Sequence, residues 1–242
     1  MFNYSVRINA SVEKASFFES TFGITNLETD DPIFGTALSE LPCGKTEDIR
    51  DALCDSMKKI VLHTVKNDIN DFDAYVRILR NANRIGIENI KICLCTFPEN
   101  PGEGFINAVK RIIEAAKAFN INILFEPRKK YPVFTNEVYS ALRSENTGII
   151  FNPSEYVLGN INPFLGQLYK YKFKDDIAFI RINDMKKDGT PVLPEKGNGE
   201  IKECVSAMLS RSYNGYFSFR KYSEEFSLDD VIASFKKMMK EM

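Results

Sequence analysis

The sequence has few of the residues on which zinc enzymes and disulfide-rich proteins depend. Its 242 residues include one histidine, His63, and no tryptophan. A single imidazole excludes a three-histidine zinc centre and the HExxH motif. The five cysteines are an odd number, and their spacings match no zinc motif. We therefore expect reduced thiols and a cytoplasmic protein.

Neither an excess of one charge nor a long apolar run is present. Lys and Arg number 32 and Asp and Glu number 33, which gives a net charge of -1. This balance argues against a broad nucleic-acid or anionic-membrane surface. No apolar run approaches the roughly 20 residues of a membrane-spanning helix, and residues 1–20 do not resemble a signal peptide. We expect neither a nucleic-acid nor a membrane partner, and the oligomeric state is left open.

What the sequence does contain is a regular alternation of strand and helix patterns. Short β-branched runs are typical of buried strands, and apolar residues spaced by three and four are typical of helices packed on them. The predicted strands cover 4–9, 24–28, 58–63, 89–95, 121–126, 148–152, 177–183 and 216–220. The predicted helices include 46–57, 200–211 and a last helix that begins at a capping box formed by Ser227 and Asp230.

The spacing of these units predicts the fold. Successive strand ends lie 26 to 39 residues apart, as between Glu126 and Asn152 or between Arg181 and Arg220. Eight such units fill the chain, which predicts a single (β/α)8 TIM barrel, one domain over 1–242. A doubly wound parallel sheet is the alternative. It is weakened because no GxGxxG motif follows the first strand.

Polar side chains stand at the carboxyl ends of the predicted strands, where barrel enzymes carry their active sites. Strand alternation places Arg220 on the inward face with Tyr216 and Ser218, and Arg181 faces inward by the same parity. The candidates at strand ends are His63, Glu126, Asn152, Arg181 with Asn183 and Asp184, and Arg220. Two readings stay open for the arginines and Glu126: a buried ion-pair network that closes the barrel, or a pocket for an anion or a polyol.

Three further positions are weaker candidates. Lys196 adjoins Gly197-Asn198-Gly199 before a predicted helix, where free backbone N–H groups would suit a phosphate, or simply start the helix. Glu155, three residues after Asn152, is a possible replacement carboxylate. His63 is a possible acid or base, or a hydrogen-bonded residue without a chemical role.

Several segments together resemble the sugar phosphate isomerase/epimerase superfamily, which has a xylose isomerase-like TIM barrel and includes endonuclease IV-like enzymes. The resemblance covers nearly the whole chain and rests on the order and spacing of the segments. The matching segments are FGITNLE at 22–28, INILFEPR at 121–128, IIFNP at 149–153, AFIRIND at 178–184, GNGEI at 197–201 and SYNGYFSFR at 212–220.

The resemblance also implies a metal site that this chain has mostly lost. The family holds a divalent ion with Glu, Asp, His and Glu from strands 5 to 8. In this sequence Glu126 is kept, whereas Asn152, Arg181 and Arg220 stand at the other three positions. Guanidinium groups are not metal ligands, and they repel a cation. We therefore expect no metal and no other cofactor.

These departures leave two functions open. One is a metal-independent sugar isomerase or epimerase in which Glu126 moves a proton and Arg181 with Arg220 stabilises an enediolate. His63 is a second candidate catalytic group. The other is a non-catalytic protein that binds a ligand or has a structural role. In both cases the expected partner is a small anionic sugar-like molecule, with Asn152, Glu155, Asp184 and Lys196 as further binding residues.

Overall fold

Eight parallel strands form a closed barrel in this protein. The computed structural model describes residues 2–8, 12–92, 101–127, 132–170 and 174–242, with only the backbone described for 12–15 and 132–136. Around the barrel the strands follow the order β1, β10, β7, β6, β5, β4, β3, β2. The prediction of a TIM barrel is therefore confirmed, and the doubly wound sheet is wrong.

The barrel strands fall where the apolar runs predicted them. Residues 93–95, predicted to end the fourth strand, lie outside the described residues. The strands are β1 (Asn3–Arg7), β2 (Asn26–Asp30), β3 (Lys59–Val65), β4 (Asn89–Ile92), β5 (Asn122–Phe125), β6 (Thr147–Phe151), β7 (Ile177–Arg181) and β10 (Tyr216–Phe219).

Helices connect the strands, and local sequence signals set their ends. Asp71 accepts a hydrogen bond from the N–H of Ala74 at the start of α3, and Gly86, with φ of 90°, ends that helix in the left-handed region. The predicted capping box of Ser227 and Asp230 is confirmed at the start of α8. The helices are α1 (Val12–Phe22), α2 (Cys43–Asp55), α3 (Phe72–Ile85), α4 (Glu103–Lys117), α5 (Pro132–Leu142), α6 (Pro153–Leu158), α7 (Ile201–Leu209) and α8 (Leu228–Lys240).

Some short elements had no counterpart in the sequence analysis. A two-stranded antiparallel ribbon pairs β8 (Asp184–Met185) with β9 (Pro191–Val192) after the seventh barrel strand. Short 3-10 turns cover Leu38–Glu40 and Lys174–Asp176, and one π-helical turn covers Pro163–Leu168. These segments lack the apolar periodicity on which the strand and helix predictions depend.

The chain divides into two compact units, each of which carries its own polar cluster. Unit 1 comprises Met1–Tyr4, Glu126–Asn136 and Ile149–Met242, and unit 2 comprises Ser5–Phe125 and Glu137–Gly148. The single domain over 1–242 stays a prediction.

Strand alternation in unit 1 separates an apolar face from a polar one. Phe217 and Phe219 pack against Phe235 of α8, with ring centroids 5.3 and 5.5 Å apart. Ser218, between these two phenylalanines, is in register with Arg181 of β7 and is fully buried. The polar side chains of β7 and β10 therefore lie on the face turned away from the helix.

Candidate functional site

Glu126, a residue of unit 1, is the centre of a charged cluster at the carboxyl ends of barrel strands. It follows β5 directly, and its side chain is 11% exposed. Arg181, the last residue of β7, donates from Nε to Glu126 Oε1 at 3.3 Å. Arg220 follows β10, and its Nη1 lies 3.6 Å from the same oxygen. Two guanidinium groups from different strands thus converge on one carboxylate oxygen.

A chain of two amides fixes the orientation of this carboxylate. Asn152 Nδ2 donates to Glu126 Oε1 at 2.8 Å, and Asn183 Nδ2 donates to Asn152 Oδ1 at 3.0 Å. The backbone carbonyl of Asn183 in turn accepts from Ser154 Oγ at 2.9 Å. Asn152 therefore turns its amide nitrogen, and not its oxygen, toward Glu126. Asn183 was expected at this strand end, whereas Ser154 did not emerge from the sequence, because its contact is to the backbone carbonyl of Asn183 and depends on the fold.

The two arginines differ in exposure. Arg181 has only 1% of its side chain exposed and also donates from Nη1 to Ser218 Oγ. Arg220 keeps 19% of its side chain exposed. Arg181 is thus part of the buried interior, whereas Arg220 reaches solvent.

Asp184 is hydrogen-bonded to the backbone of the Gly197-Asn198-Gly199 turn. Its carboxylate accepts from the N–H groups of Gly197 and Gly199 at 2.9 and 2.8 Å. The N–H of Asn198 donates to the carbonyl of Met185 at 2.8 Å. The N–H groups that one interpretation of this turn left free for a phosphate are therefore occupied by the carboxylate of Asp184, and the other interpretation, a helix start, agrees with α7, which begins at Ile201. Burial raises the pKa of Asp184 above its ordinary value, although these N–H groups act in the opposite direction.

Both glycines of this turn are required by the close approach of Asp184. A Cβ atom at Gly197 would lie 2.4 Å from Asp184 Oδ1, and one at Gly199 would lie 2.6 Å from it. Such distances are shorter than van der Waals contact, so a side chain at either position would displace the carboxylate. The Gly-x-Gly segment, one of those on which the family resemblance rests, binds the carboxylate of Asp184 in this protein.

Lys196 and Glu155 are the remaining candidates of unit 1. Lys196 is exposed in the loop before Gly197, and its N–H donates to the carbonyl of Leu193 at 3.0 Å. Glu155 is half-buried in the first turn of α6. Their proposed binding roles stay predictions.

His63 lies in unit 2 and is fully buried. Its Nδ1 is 2.8 Å from Thr29 Oγ1, and its Nε2 is 3.5 Å from Asp31 Oδ1. In the pairing of β2 with β3, His63 is opposite Thr29, and Thr64 is opposite Asp30. His63 therefore projects to the other face of the sheet from Thr64, and its catalytic role stays a prediction.

Unit 2 also holds a charged cluster that the sequence analysis missed. Arg7 donates from Nε to Asp30 Oδ2 at 2.7 Å, and Ser5 Oγ donates to Glu28 Oε1 at 2.6 Å. Lys91, 8% exposed on β4, is in register with Thr64 and acts electrostatically on Asp30. The signal was present in the sequence, since alternation places Ser5 with Arg7 and Glu28 with Asp30 on one face of each strand.

The charges around Asp30 decide its protonation. Burial alone would raise the pKa of Asp30, but the charge and hydrogen bonds of Arg7, with smaller contributions from Thr64 and Lys91, lower it overall. Asp30 is therefore an ionised partner of Arg7 at neutral pH.

Neither a metal cluster nor a membrane span is found in the described part of the chain. Among those residues, no group of three or more His, Cys, Asp or Glu side chains is arranged to hold a metal ion. No helix within the same ranges has the length and apolarity needed to cross a membrane.

Comparison with solved structures finds similar barrels at low sequence identity. A xylose isomerase domain protein from Planctomyces limnophilus has 13% identity and a TM-score of 0.71, with 99% of this chain and 93% of that one covered. A xylose isomerase-like TIM barrel protein from Mycobacterium smegmatis, in complex with magnesium, has 14% identity, coverage of 99% and 96%, and a TM-score of 0.71. A D-allulose 3-epimerase from Methylomonas sp. has 13% identity, coverage of 100% and 98%, and a TM-score of 0.67.

The sequence itself matches neither a protein-family model nor a curated protein. The evidence from the comparisons is therefore structural, and it agrees with the closed eight-stranded barrel described above. The chain has the xylose isomerase-like TIM-barrel fold of sugar isomerases and epimerases.

Proposed function

We propose that this protein is a metal-independent sugar isomerase- or epimerase-like protein that takes a small anionic sugar-like ligand beside Glu126. The observation that carries the proposal is the convergence of Arg181 and Arg220 on one oxygen of Glu126. These three groups together carry a charge of +1. Positive charge held near a strand end and partly open to solvent at Arg220 favours an anionic group on the ligand.

The donor set supports metal independence. A divalent ion needs several oxygen or nitrogen ligands, but Asn152 presents its amide N–H₂ to Glu126 and uses its oxygen for Asn183. The guanidinium groups cannot ligate. At about 6 Å and an effective dielectric constant of about 20, one guanidinium repels a divalent ion by roughly 5 kcal/mol. These residues therefore do not fit a divalent ion such as the magnesium in the similar barrel from Mycobacterium smegmatis.

The same groups suit proton transfer next to a carbonyl. Nearby positive charge favours the ionised, proton-accepting form of Glu126. In the proposed reaction Glu126 removes the proton from the carbon beside the ligand carbonyl. In an isomerisation Glu126 returns that proton to the former carbonyl carbon, while the hydroxyl proton passes to the other oxygen by way of solvent. In an epimerisation solvent protonates the same carbon on its opposite face. Arg220 stabilises the oxygen of the enediolate, a role a guanidinium can perform in place of a metal. The D-allulose 3-epimerase among the similar structures supports a sugar-like ligand.

A non-catalytic protein is the second candidate, and a specific observation favours it. Arg181 is almost fully buried and is bonded to both Glu126 and Ser218, as expected of a structural ion pair. A buried ion pair of this kind can favour one packing arrangement of the protein. Such a role requires no catalytic activity. Both candidate functions include an anionic ligand beside Glu126, and only the first converts that ligand to a product.

The first experiment tests the ligand. Inorganic phosphate and a ketose phosphate should raise the melting temperature of the parent protein, by more than a neutral ketose does. Arg220→Ala should lose most of this shift. Arg211→Ala is the matched control, because Arg211 is an exposed arginine of unit 1 that lies 3.8 Å from Asp175. Equal shifts in the parent and Arg220→Ala would place the anion elsewhere and overturn the proposal.

The second experiment separates catalysis from binding. Sugar phosphates are incubated with the protein in D₂O, and deuterium at the carbon beside the carbonyl is measured by NMR. An isomerase or epimerase with Glu126 as base should incorporate deuterium, and Glu126→Gln should abolish this exchange without losing the phosphate-induced thermal shift. No exchange in the parent, together with a retained thermal shift, would favour the non-catalytic candidate.

A further inference from the structure

Helix α2 of unit 2 is poorly packed against the barrel compared with its neighbour. Only Thr46 and Leu53 are buried among its 13 residues, whereas seven of the 14 residues of α3 are buried. A helix that covers a barrel strand ordinarily buries an apolar stripe along its whole length. The inner face of α2 therefore lies over a gap.

That gap is a cavity of about 230 Å³ between α2 and the strands of unit 2. Its floor is formed by Ile8, Leu27 and Ile60, each no more than 3% exposed. Its roof is formed by Ile49, Ala52 and Leu53 of α2, with Ala52 at the open edge. The walls are mainly hydrocarbon.

The polar groups of the inner wall already have partners within the protein. Thr29 Oγ1 is bonded to His63 at 2.8 Å. The ammonium group of Lys58 is paired with Glu19 at 2.8 Å, and Ser56 Oγ donates to the carbonyl of Ala52 at 2.8 Å. A bound water needs two to four polar partners. The inner wall supplies few polar partners for a bound water, so the cavity favours an apolar ligand over water.

Contacts outside the cavity fix the segment that precedes α2. Asn81 of α3 donates to the carbonyls of Leu38 and Leu41 at 2.8 and 3.0 Å, and so fixes the segment that leads into α2. Phe34 lies at the lip of the cavity, 38% exposed, with φ of 47°. A bulky residue in the left-handed region is a costly conformation of the kind found at ligand clamps.

We propose that this cavity binds a small neutral apolar molecule, an aromatic ring or a short hydrocarbon chain. An apolar cavity of about 150 Å³ is enough to take up benzene or xenon, so the space here accommodates a single ring with room for a substituent. Lys58 is paired with Glu19, and the other charged residue of the lining, Asp48, is exposed on α2, so the buried wall offers no free charge to an ionic ligand. The site is independent of the cluster around Glu126.

The test compares benzene with benzoate on the full chain. Saturation-transfer NMR should show benzene bound to the parent protein, with a raised melting temperature, and benzoate should give neither effect. Ala52→Phe and Leu27→Phe each place a ring in the cavity and should abolish the benzene effects. Ala141→Phe is the matched control, because Ala141 is exposed on α5 of the same unit.

The cavity proposal and the proposed function at Glu126 can each fail without the other. Arg220→Ala should keep benzene binding unchanged, whereas it loses the phosphate effect. Two results would overturn the cavity proposal: no benzene binding to the parent at saturating concentration, or equal binding in the parent and in whichever of the two cavity variants folds. Binding of benzoate as tight as benzene would also overturn it, since the ligand would then not be neutral.

Discussion

The polar clusters of the two units differ in how their charges are assembled. In unit 2, Arg7 and Asp30 come from adjacent strands and pair with each other, as do Ser5 and Glu28. In unit 1, Glu126 follows β5, whereas its arginines come from β7 and from the end of β10, so they reach across at least one intervening strand.

The difference shows how a structural pairing can be distinguished from a candidate site. Arg7, Glu28, Asp30 and Lys91 contribute two charges of each sign, so the unit 2 cluster is balanced. The unit 1 cluster combines one carboxylate with two guanidinium groups. Opposite charges paired between neighbouring strands neutralise each other. Two guanidinium groups that converge on one carboxylate from more distant strands are instead the arrangement on which the proposed anion site rests.

The largest effect is expected from removing the buried arginine of unit 1. Arg181→Met should lower the free energy of unfolding by about 3–5 kcal/mol, because it leaves Glu126 buried without its main partner. Arg7→Met in unit 2 should cost about 1 kcal/mol or less, since its side chain is 31% exposed. Urea denaturation of both variants measures the difference. Equal losses would remove the distinction between the clusters.

A smaller effect is expected from the coupling within unit 1. Double-mutant cycles should give Glu126 with Arg181 a coupling of about 1–3 kcal/mol. Glu126 with Arg220 should give less than about 1 kcal/mol, because Arg220 is farther from the carboxylate and more exposed. The cycles use Glu126→Gln, Arg181→Met and Arg220→Ala in urea denaturation. Strong coupling to Arg220 would favour the structural network over the ligand site.

The pH dependence of stability should reveal the unit 2 cluster. The pKa of Asp30 is lower in the folded protein than in the unfolded chain, so its stabilisation is present above the unfolded value of about 3.9 and is lost as pH falls through the folded value. Asp30→Asn should therefore flatten the acid limb of the stability curve below about pH 5. Asp51→Asn, at an exposed carboxylate, is the control. An unchanged acid limb in Asp30→Asn would contradict the assignment.

The smallest effect is expected from metal removal. Because neither cluster offers a ligand set for a divalent ion, treatment with EDTA should leave the melting temperature unchanged, and elemental analysis should find substoichiometric zinc, manganese and cobalt. A stoichiometric ion whose removal lowers the melting temperature would show that Asn152 and Glu126 ligate after all. The metal-independent proposal would then fail.

Much of the fold followed from the sequence because it depends on local periodicity. Each apolar run that predicted a barrel strand overlaps one, and Ser227 with Asp230 marks the start of α8 as expected. The β8–β9 ribbon escaped prediction because two-residue strands have no period to detect. The sequence left the Gly197–Gly199 turn open between a phosphate site and a helix start, since only the fold brings Asp184 to its N–H groups.

The sequence by itself determined the barrel and the inward parity of Arg181 and Arg220, because both depend on residue type and strand period. The tertiary structure decided which charges meet. It brought Glu126 to both arginines, turned the amide of Asn152 toward the carboxylate, paired Arg7 with Asp30 and placed His63 beside Thr29. These contacts join residues 23 to 94 positions apart, and side-chain distances across a sheet depend on strand order and register, which local sequence does not encode.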